Sequence, residues 1–374
     1  MYYTFPDYIN EFKCTADLCP DTCCAGWKIC VDRDSLKRYR KVRGRYMFKI
    51  IRSVDFAGHT FRHKDGKRCA FLRADGLCDM YMNLGPDALC RTCRNYPRRV
   101  EKYENVREVT LSLSCPEVAR LLMRRREPVR FISKEDDITE EIPGSDPLLY
   151  SAVSELKNEL YGILQDRSLD ITTRCGLAFA VCNDVQVKIH SRQLFSCGEV
   201  FDKYKREGAK NFVSGTVKSF MNDTEKYYAA MRSAFLSLYR FEPLKEEWPN
   251  MILRSEEFLY NGGADNYRKM TGEFNEWTSS DDSFQIRMEQ LLVYYVSAYM
   301  SRAADDGDVL SKIHMALIPA AIIHELAMSY WYRNNKQLSA EDMSKMAYRL
   351  SREIEHSDDN LKQLGECRFM GDRH

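Results

Sequence analysis

Hydrophobic residues recur with helical spacing over most of the chain beyond residue 147. Apolar positions repeat there every three or four residues, and runs such as LLVYYVSAYM at 291–300 present a wide apolar face. A helix with such a face must bury it against a neighbouring helix, so this part predicts a helical bundle or array. The predicted helices cover residues 147–166, 170–190, 216–240, 249–261, 264–277, 281–305, 308–333 and 339–356.

The first 130 residues show shorter segments separated by turns. Residues 32–51 carry apolar side chains at helical spacing, with Asp32 or Asp34 as a candidate N-cap. The alternation within residues 54–68 predicts a hairpin that turns at 65–66, and a second turn is predicted at 75–76. These turns would fold neighbouring segments back on themselves.

A strand and a helix are predicted before a charged connector. Residues 107–114 alternate like a strand, and Pro116 opens a helix that runs to about Arg126. The proline-bearing stretch 128–146 separates the two parts of the chain. The predicted fold is therefore mainly α, with a small cysteine-rich metal-cluster domain containing short hairpins at 1–130 and an all-helical domain at 147–374.

Cysteine is the most unevenly distributed residue. Ten of the fourteen cysteines lie between Cys14 and Cys115, and the much longer remainder holds only four. Thiols gathered in this way form disulfides, hold zinc, or hold an iron–sulfur cluster. Disulfide frameworks are typical of small secreted chains, and structural zinc sites often include histidine, whereas His59 and His63 are the only histidines nearby. The pattern favours an iron–sulfur cluster and leaves zinc and disulfides as alternatives.

Five short motifs around these cysteines occur in a fixed order. They are CPDTCCAGWKI at 19–29, C-x-FL at Cys69, LC-x-x-Y at Cys78, C-R-x-Y-P at Cys93 and SLSCPE at 112–117. The chain resembles the flagellin lysine N-methylase family, itself related to cysteine-cluster proteins described as zinc or iron chelating. The resemblance spans roughly the first third of the chain and implies a cytoplasmic bacterial enzyme that methylates flagellin lysines, uses S-adenosylmethionine and carries a [4Fe-4S] cluster.

The resemblance also marks candidate metal ligands. One [4Fe-4S] cluster takes four thiolates, so eight marked cysteines fit either two clusters or one cluster beside packed thiols. Cys30 and Cys90 fit the resemblance less well, and the four cysteines after residue 130 are expected to be ordinary thiols. The marked positions are Cys14, Cys19, Cys23, Cys24, Cys69, Cys78, Cys93 and Cys115.

Methyl transfer to lysine requires a neutral amine, so a nearby group must accept a proton or the pocket must lower the lysine pKa. The candidate catalytic residues are Glu117 and Tyr81, with Tyr96 and Asp32 also near the cysteines. Glu117 has a structural alternative as an acid in the first turn of a helix.

For the cofactor, Trp27 is a candidate wall, and Arg94 and Arg98 are candidate partners for a carboxylate or for cluster sulfides. The glycine-rich G-x-G fingerprint of many nucleotide-binding folds does not occur in the sequence, and neither does the C-x3-C-x2-C triad of radical enzymes. S-adenosylmethionine would therefore bind in an unusual way. A non-catalytic zinc- or iron-binding module that recognises a partner is an alternative function, and an electron-transfer or radical oxidoreductase is a third.

Charge is divided between the two parts. Residues 1–130 carry 27 Lys and Arg against 16 Asp and Glu, and the rest carries 29 against 39, so the parts should attract each other. The expected location is cytoplasmic, because the sequence begins with no signal peptide and no apolar run reaches membrane-spanning length. The expected partner is flagellin or another lysine-bearing protein, with no nucleic acid and no membrane.

Overall fold

The computed structural model describes residues 1–64, 67–103, 105–137 and 146–368, and most of them are helical. Five helices occur in the described part of the first 130 residues. They are α1 at Arg33–Lys41, α2 at Tyr46–Ser53, α3 at Asp79–Leu84, α4 at Arg91–Asn95 and α5 at Pro116–Arg124. The predicted helix after Pro116 is confirmed.

The chain beyond residue 146 is helical, as predicted. Six of the eight predicted helices are confirmed within a few residues. The prediction of one helix at 216–240 was wrong, because two helices meet at Asp223, and the prediction at 281–305 was too long. The helices are α6 Pro147–Leu164, α7 Ile171–His190, α8 Cys197–Lys205, α9 Glu207–Asn222, α10 Thr224–Leu236, α11 Trp248–Tyr260, α12 Gly263–Ser279, α13 Ser283–Tyr299, α14 Ala303–Asp306, α15 Val309–Arg333, α16 Ala340–Glu355 and α17 Asp358–Glu366.

Side-chain caps explain where several of these helices begin. Asp146, Asp170 and Asp223 accept hydrogen bonds from backbone N–H groups in the first turns of α6, α7 and α10. Ser339 forms a reciprocal capping box with Asp342 at the start of α16. Because Asp223 also follows the last residue of α9, its cap converts one long apolar pattern into two helices.

The predicted helix at 32–51 is broken in two. Asp32 is the N-cap of α1, as predicted, and its carboxylate accepts from Ser35 N at 2.9 Å. The chain then leaves helical geometry at Val42, and Gly44 adopts φ +76°, which favours glycine. The helix resumes as α2.

A four-stranded mixed sheet was not predicted. Its strands are β1 at Tyr2–Pro6, β6 at Arg98–Tyr103, β7 at Val106–Leu111 and β8 at Phe131–Glu135, in the order β6-β7-β1-β8. β7 corresponds to the strand predicted at 107–114. β8 lies inside the predicted connector, and residues 138–145 of that connector lie outside the described residues.

The predicted short hairpins are present between α2 and α3. β2 at Val54–Asp55 pairs with β3 at Thr60–Phe61, and β4 at His63–Lys64 pairs with β5 at Arg68–Cys69. The turn predicted at 65–66 lies outside the described residues. The turn predicted at 75–76 is confirmed by the antiparallel bridge between Leu72 and Cys78.

Buried apolar side chains form two cores. The larger core extends from Tyr8 to Cys367 and joins the sheet and α5 to the helices from α6 onward. The smaller core holds side chains between Ile29 and Cys90. The small core occupies the middle of the first 130 residues, whereas both ends of that segment contribute to the large core. The division into domains at 1–130 and 147–374 stays a prediction.

Among the described residues, α15 is the one helix whose length and apolar composition could cross a membrane. No apolar segment of membrane-spanning length is predicted here from the sequence. Inside the protein, 83% of its most apolar window is buried. It packs against α7, α13 and α16, and is therefore a central helix of the bundle.

A buried ion pair connects the sheet to the helices. Lys157 Nζ on α6 lies 2.5 Å from Glu108 Oε1 on β7, and Ser301 Oγ donates to Glu108 Oε2 at 2.6 Å. Tyr150 Oη donates to the same carboxylate at 2.9 Å. Both charged side chains are almost fully buried, so removing one of them would leave an unpaired charge in the interior.

Replacing Lys157 by Met should lower the unfolding free energy by about 3–5 kcal/mol, because Glu108 would remain buried without its cation. The double variant Lys157→Met/Glu108→Gln should recover much of that loss. Urea denaturation measures both values. The exposed pair Lys37–Asp34 provides the control, since Lys37→Met should change stability by less than about 1 kcal/mol. Equal losses of unfolding free energy in Lys157→Met and Lys37→Met would contradict this account.

Candidate functional site

Nine of the ten cysteines in the first 115 residues lie in two groups that leave out Cys30, and none of the fourteen cysteines forms a disulfide. The first thiol set contains four cysteines from the chain's start and from the turn before α5. Their charges interact with one another, which places the four thiols close together. The first thiol set is Cys14, Cys19, Cys23 and Cys115.

The second thiol set is associated with the small core. Its members interact electrostatically, and the backbone N–H of Cys69 donates to Cys24 O at 2.8 Å. Cys90, which the sequence prediction set aside, is fully buried within this group and accepts a hydrogen bond from Cys93. The second thiol set is Cys24, Cys69, Cys78, Cys90 and Cys93.

Burial and neighbouring thiols change the acidity of these groups in both directions. Burial raises the pKa of Cys69 to about 12 and that of Cys115 to about 11. A hydrogen bond from Cys23 lowers the pKa of Cys24 to about 7. Adjacent Cys23 and Cys24 thus connect the two sets, because each changes the pKa of the other.

Arg352 on α16 joins the first thiol set to the helical part. Its guanidinium is fully buried, with Nη1 2.7 Å from Asp21 Oδ2. Nη2 donates to Asp21 O at 3.1 Å, and Nε donates to Ser114 O at 3.3 Å. Asp21 lies between Cys19 and Cys23, and Ser114 precedes Cys115. One side chain therefore holds both segments that carry the first thiol set.

An aromatic group lies beside these segments. The indole N–H of Trp27 donates to Cys23 O at 2.7 Å, and its ring stacks on His356 with 4.4 Å between centroids. Tyr96 meets His356 edge-on at 5.8 Å. Burial lowers the pKa of His356 to about 3, so its imidazole is neutral. Within the described part of the chain, both buried ring nitrogens of His356 lack a hydrogen-bond partner, which a bound group would supply.

A cavity of about 260 Å³ opens between the Cys19–Cys23 segment and the helical part. The rings of Trp248 and Tyr348, both nearly buried, form part of its wall. Within the described residues, the buried indole nitrogen of Trp248 has no hydrogen-bond partner. The complete lining is Pro20, Asp21, Lys245, Glu247, Trp248, Met251, Tyr348, Arg349, Arg352 and Glu353.

Glu353 is the buried carboxylate of this cavity. It accepts from Leu244 N at 2.6 Å and from Lys245 N at 3.2 Å. Burial outweighs these donors and raises the pKa of Glu353 to about 7. Near neutral pH this carboxyl group therefore exists in both protonation states, as a group that exchanges protons with a substrate must.

The predicted catalytic residues lie away from the cavity. Glu117 is in the first turn of α5, where Arg120 Nε donates to its Oε2 at 2.8 Å. This arrangement matches the structural alternative considered for that residue. Tyr81 lies on α3 with about half of its surface exposed. Neither lines the cavity, and their catalytic roles stay predictions.

Of the predicted cofactor-binding residues, Trp27 is beside the first thiol set. Arg94 donates to the backbone carbonyls of Asp87 and Leu89, at 3.0 and 3.3 Å. Arg98 stacks its guanidinium over the ring of Phe12 at 5.5 Å. The structure thus gives both arginines packing or backbone contacts, and their roles toward a cofactor stay predictions.

The sequence interpretation did not identify the residues that the helical part contributes. Trp248, Arg352, Glu353 and His356 follow the last marked cysteine by more than a hundred residues. One signal was present in α16, where Arg352 and Glu353 interrupt its apolar face between Leu350 and Ile354. Charged residues at such positions usually have buried partners.

The donor chemistry of the two thiol sets fits a metal group. Each set offers at least four thiols, and the first set lies near the unpartnered nitrogens of His356. Among the described residues, no three His, Cys, Asp or Glu side chains form a group that could hold a metal ion. A four-iron cluster binds one thiolate on each iron, so its ligands stand further apart than those of a single zinc ion. The thiols therefore suit an iron–sulfur cluster in number and kind.

Replacing Glu353 by Gln should change how stability depends on pH. Folded Glu353 has a raised pKa, so the native protein holds its proton to higher pH than the unfolded chain does. Between pH 4.5 and 7 the wild type should lose stability relative to the variant, up to about 3 kcal/mol by pH 8. Urea denaturation at several pH values measures the difference. A difference that is constant with pH would contradict the raised pKa.

Comparison with known proteins gives one family and a small group of relatives. Residues 158–369, more than half of the chain, match the model of the FliB lysine N-methylase C-terminal domain. A lysine-N-methylase of Salmonella typhimurium is 29% identical over 163 residues, which cover 41% of this chain and 40% of that protein. A flagellar biosynthetic protein FliU of Salmonella muenchen is 30% identical over 128 residues, 32% of this chain and 76% of that protein.

The aligned region spans only about 40% of the length of the lysine-N-methylases. No solved structure matches. The family model covers α7 through α17 and includes the residues that the helical part contributes to the cavity. The chain belongs to the FliB lysine N-methylase family.

Proposed function

We propose that this protein transfers methyl groups to the ε-amino groups of lysines in a protein substrate, with flagellin as the natural target. The observation that carries the proposal is the cavity beside the Cys19–Cys23 segment. It combines aromatic walls with a buried carboxylate whose pKa is about 7. The relatives named lysine-N-methylase and flagellar biosynthetic protein support the same substrate class.

The cavity suits a lysine side chain for two reasons. Trp248 and Tyr348 present rings along which a four-carbon stem packs, and an aromatic face attracts an ammonium group. Partial desolvation also lowers the pKa of an entering lysine, which favours the neutral amine that attacks a methyl group. Glu353 is positioned to accept the proton that the lysine releases.

The methyl donor we propose is S-adenosylmethionine, a sulfonium compound. Arg352 does not offer its charge freely to the donor's carboxylate, because its guanidinium is already bonded to Asp21 and to backbone carbonyls. Arg349, on the same wall, is exposed and better placed to contact an anionic group.

We propose that the two thiol sets hold iron–sulfur clusters. A bound cluster would cross-link the segments that carry the thiols. The positive charge of Arg352 balances thiolate charge in the first set, where it acts on Cys19 and Cys23. Free thiols in both sets require a reducing compartment, so we place the protein in the cytoplasm.

Methyl transfer is tested with anaerobically purified protein, S-adenosylmethionine and flagellin, by following mass increases on lysine. Glu353→Gln should lower kcat at pH 7 by about 10²-fold or more, because it removes the proton acceptor. Its metal content should match that of the wild type. Glu256→Gln is the control, since this carboxylate lies on the exposed side of α11, where it accepts a hydrogen bond from Tyr239.

Two results would count against the proposal. Flagellin that gains no methyl group from protein with its metal intact would rule out the activity. An unchanged kcat in Glu353→Gln would remove this cavity as the place where the lysine is deprotonated, while leaving the activity itself standing.

Cys69→Ser or Cys93→Ser should lower bound iron and acid-labile sulfide, and should reduce unfolding free energy, because cluster binding and folding of the small core are linked. Cys175→Ser and Cys367→Ser are matched controls, since both thiols lie in the helical part. Their iron content should equal that of the wild type. Zinc in place of iron, or equal iron loss in the controls, would overturn the assignment of the cluster to these sets.

A further inference from the structure

One lysine of this chain already lies in the cavity that we assign to the substrate lysine. Lys245 lines the cavity, and its Nζ donates to Asp21 Oδ1 at 2.9 Å. Its side chain is about 31% exposed. Its charge also acts on Glu353, whose carboxylate accepts from the Lys245 backbone N–H.

The loop that carries Lys245 is held firmly in place. Leu244 N donates to Glu353, and Glu242 exchanges two hydrogen bonds with the buried side chain of Asn360, at 2.7 and 2.9 Å. On the other side, Lys245 Cε would lie 3.6 Å from a Cβ placed on Gly26, so the loop is packed against the cysteine segment. These contacts fix the backbone at Lys245, so its amine stays beside the cavity.

The ion pair with Asp21 does not have to hold Lys245 permanently. Asp21 Oδ2 is bound by Arg352 at 2.7 Å, so the carboxylate keeps a cation when the lysine moves. Nζ can therefore leave Asp21 without leaving that carboxylate unpaired, and it can turn within the cavity.

We propose that Lys245 is a methylation site of the protein itself, modified in its own cavity. This inference rests on the proposed function, because it uses the same methyl donor and the same proton acceptor. It assigns the protein a second substrate, a lysine of its own chain, beside the external protein.

The reaction balances with the groups already named. The ammonium of Lys245 gives one proton to the carboxylate of Glu353 and becomes a neutral amine. The amine attacks the methyl carbon of the sulfonium donor, so a nitrogen–carbon bond forms as the sulfur–carbon bond breaks. The electron pair of the broken bond stays on sulfur, which becomes a neutral thioether, and the product is a methylated ammonium.

Other lysines provide a comparison within the same chain. Lys226 pairs with Asp223 at 3.0 Å and also lines a surface depression, formed by α9 and the start of α10. That depression contains no cysteine segment and no buried carboxylate in its lining. Lys157 is enclosed by its ion pair in the core. Lys67 also acts on the charge of Glu353, but it pairs with Glu242 and does not line the cavity. A place in the lining beside Glu353 therefore distinguishes Lys245, whereas simple exposure would favour Lys226.

The test uses the full chain, purified anaerobically with its metal and incubated with methyl-labelled S-adenosylmethionine, first alone and then with flagellin. Peptide mass spectrometry should show steps of about 14 Da on Lys245 and none on Lys226. The fraction modified per unit time should not depend on protein concentration, because the reacting groups share one chain. Glu353→Gln should slow labelling of Lys245 and of flagellin by similar factors.

Each outcome decides between the two proposals. If flagellin is labelled but Lys245 stays unlabelled, both in the protein incubated alone and in the protein incubated with flagellin, this inference is overturned and the proposed function stands. A labelling rate per molecule that rises in proportion to protein concentration also overturns it, because the lysine would then react in the cavity of another copy. A protein that labels neither substrate with its metal intact overturns both proposals.

Discussion

The buried guanidinium of Arg352 is the constraint on which the arrangement of the site depends. Arginine has five N–H donors and keeps its charge in any environment, so burying it requires acceptors on every side. Here the acceptors are the carboxylate of Asp21 and backbone carbonyls of Asp21, Thr22 and Ser114. All of them belong to the two segments that carry the first thiol set. Burial of one charge on α16 therefore determines where those thiols lie.

This dependence explains how a segment with little regular structure can form a site. Between Lys13 and Cys30 the chain has one short 3-10 helix and isolated bridges, so few backbone hydrogen bonds hold it in shape. Arg352, the stacked ring of His356 and the ion pair of Lys245 supply the missing contacts from the helical part. The family model covers only residues 158–369, yet that region contributes the groups that hold the cysteine segment. The two parts of the chain thus depend on each other for one site.

Local signals predicted much of the fold, and long-range pairing explains the misses. Helical periodicity located α6, α7, α15 and α16 within a few residues, because each buries a continuous stripe. The family resemblance marked eight of the nine cysteines in the two thiol sets, but it did not include Cys90 and did not divide the cysteines between the sets. The mixed sheet was missed because β1 pairs with β8, more than a hundred residues away.

The contacts of the cavity were equally inaccessible to local patterns. Arg352 meets Asp21 across more than three hundred residues, and no spacing rule connects them. Glu353 gave the same local signal as Arg352, because both interrupt the apolar face of α16, but that signal identifies no partner. The proton-acceptor role that we propose for Glu353 depends on its burial by the loop at Leu244, and burial of that kind is a property of the folded chain.

The ion pair at the buried site does not follow the net charges of the two parts of the chain. The first 130 residues are basic and the remainder is acidic, and exposed pairs such as Arg126 with Asp282 follow that division. The buried pair of Asp21 with Arg352 has the opposite sense, with its acid from the basic part and its base from the acidic part. A buried charge interacts mainly with its immediate neighbours, whereas exposed charges are screened by solvent and respond to the net charge around them. A buried pair can therefore run opposite to the net charges of the two parts. Arg352 and Lys245 both pair with Asp21, whereas Glu353 has no ion pair within the part of the chain that the structure describes. Under the proposed function, the cavity attracts a lysine through one buried carboxyl group and its aromatic walls, independently of the net charge of the surface around it.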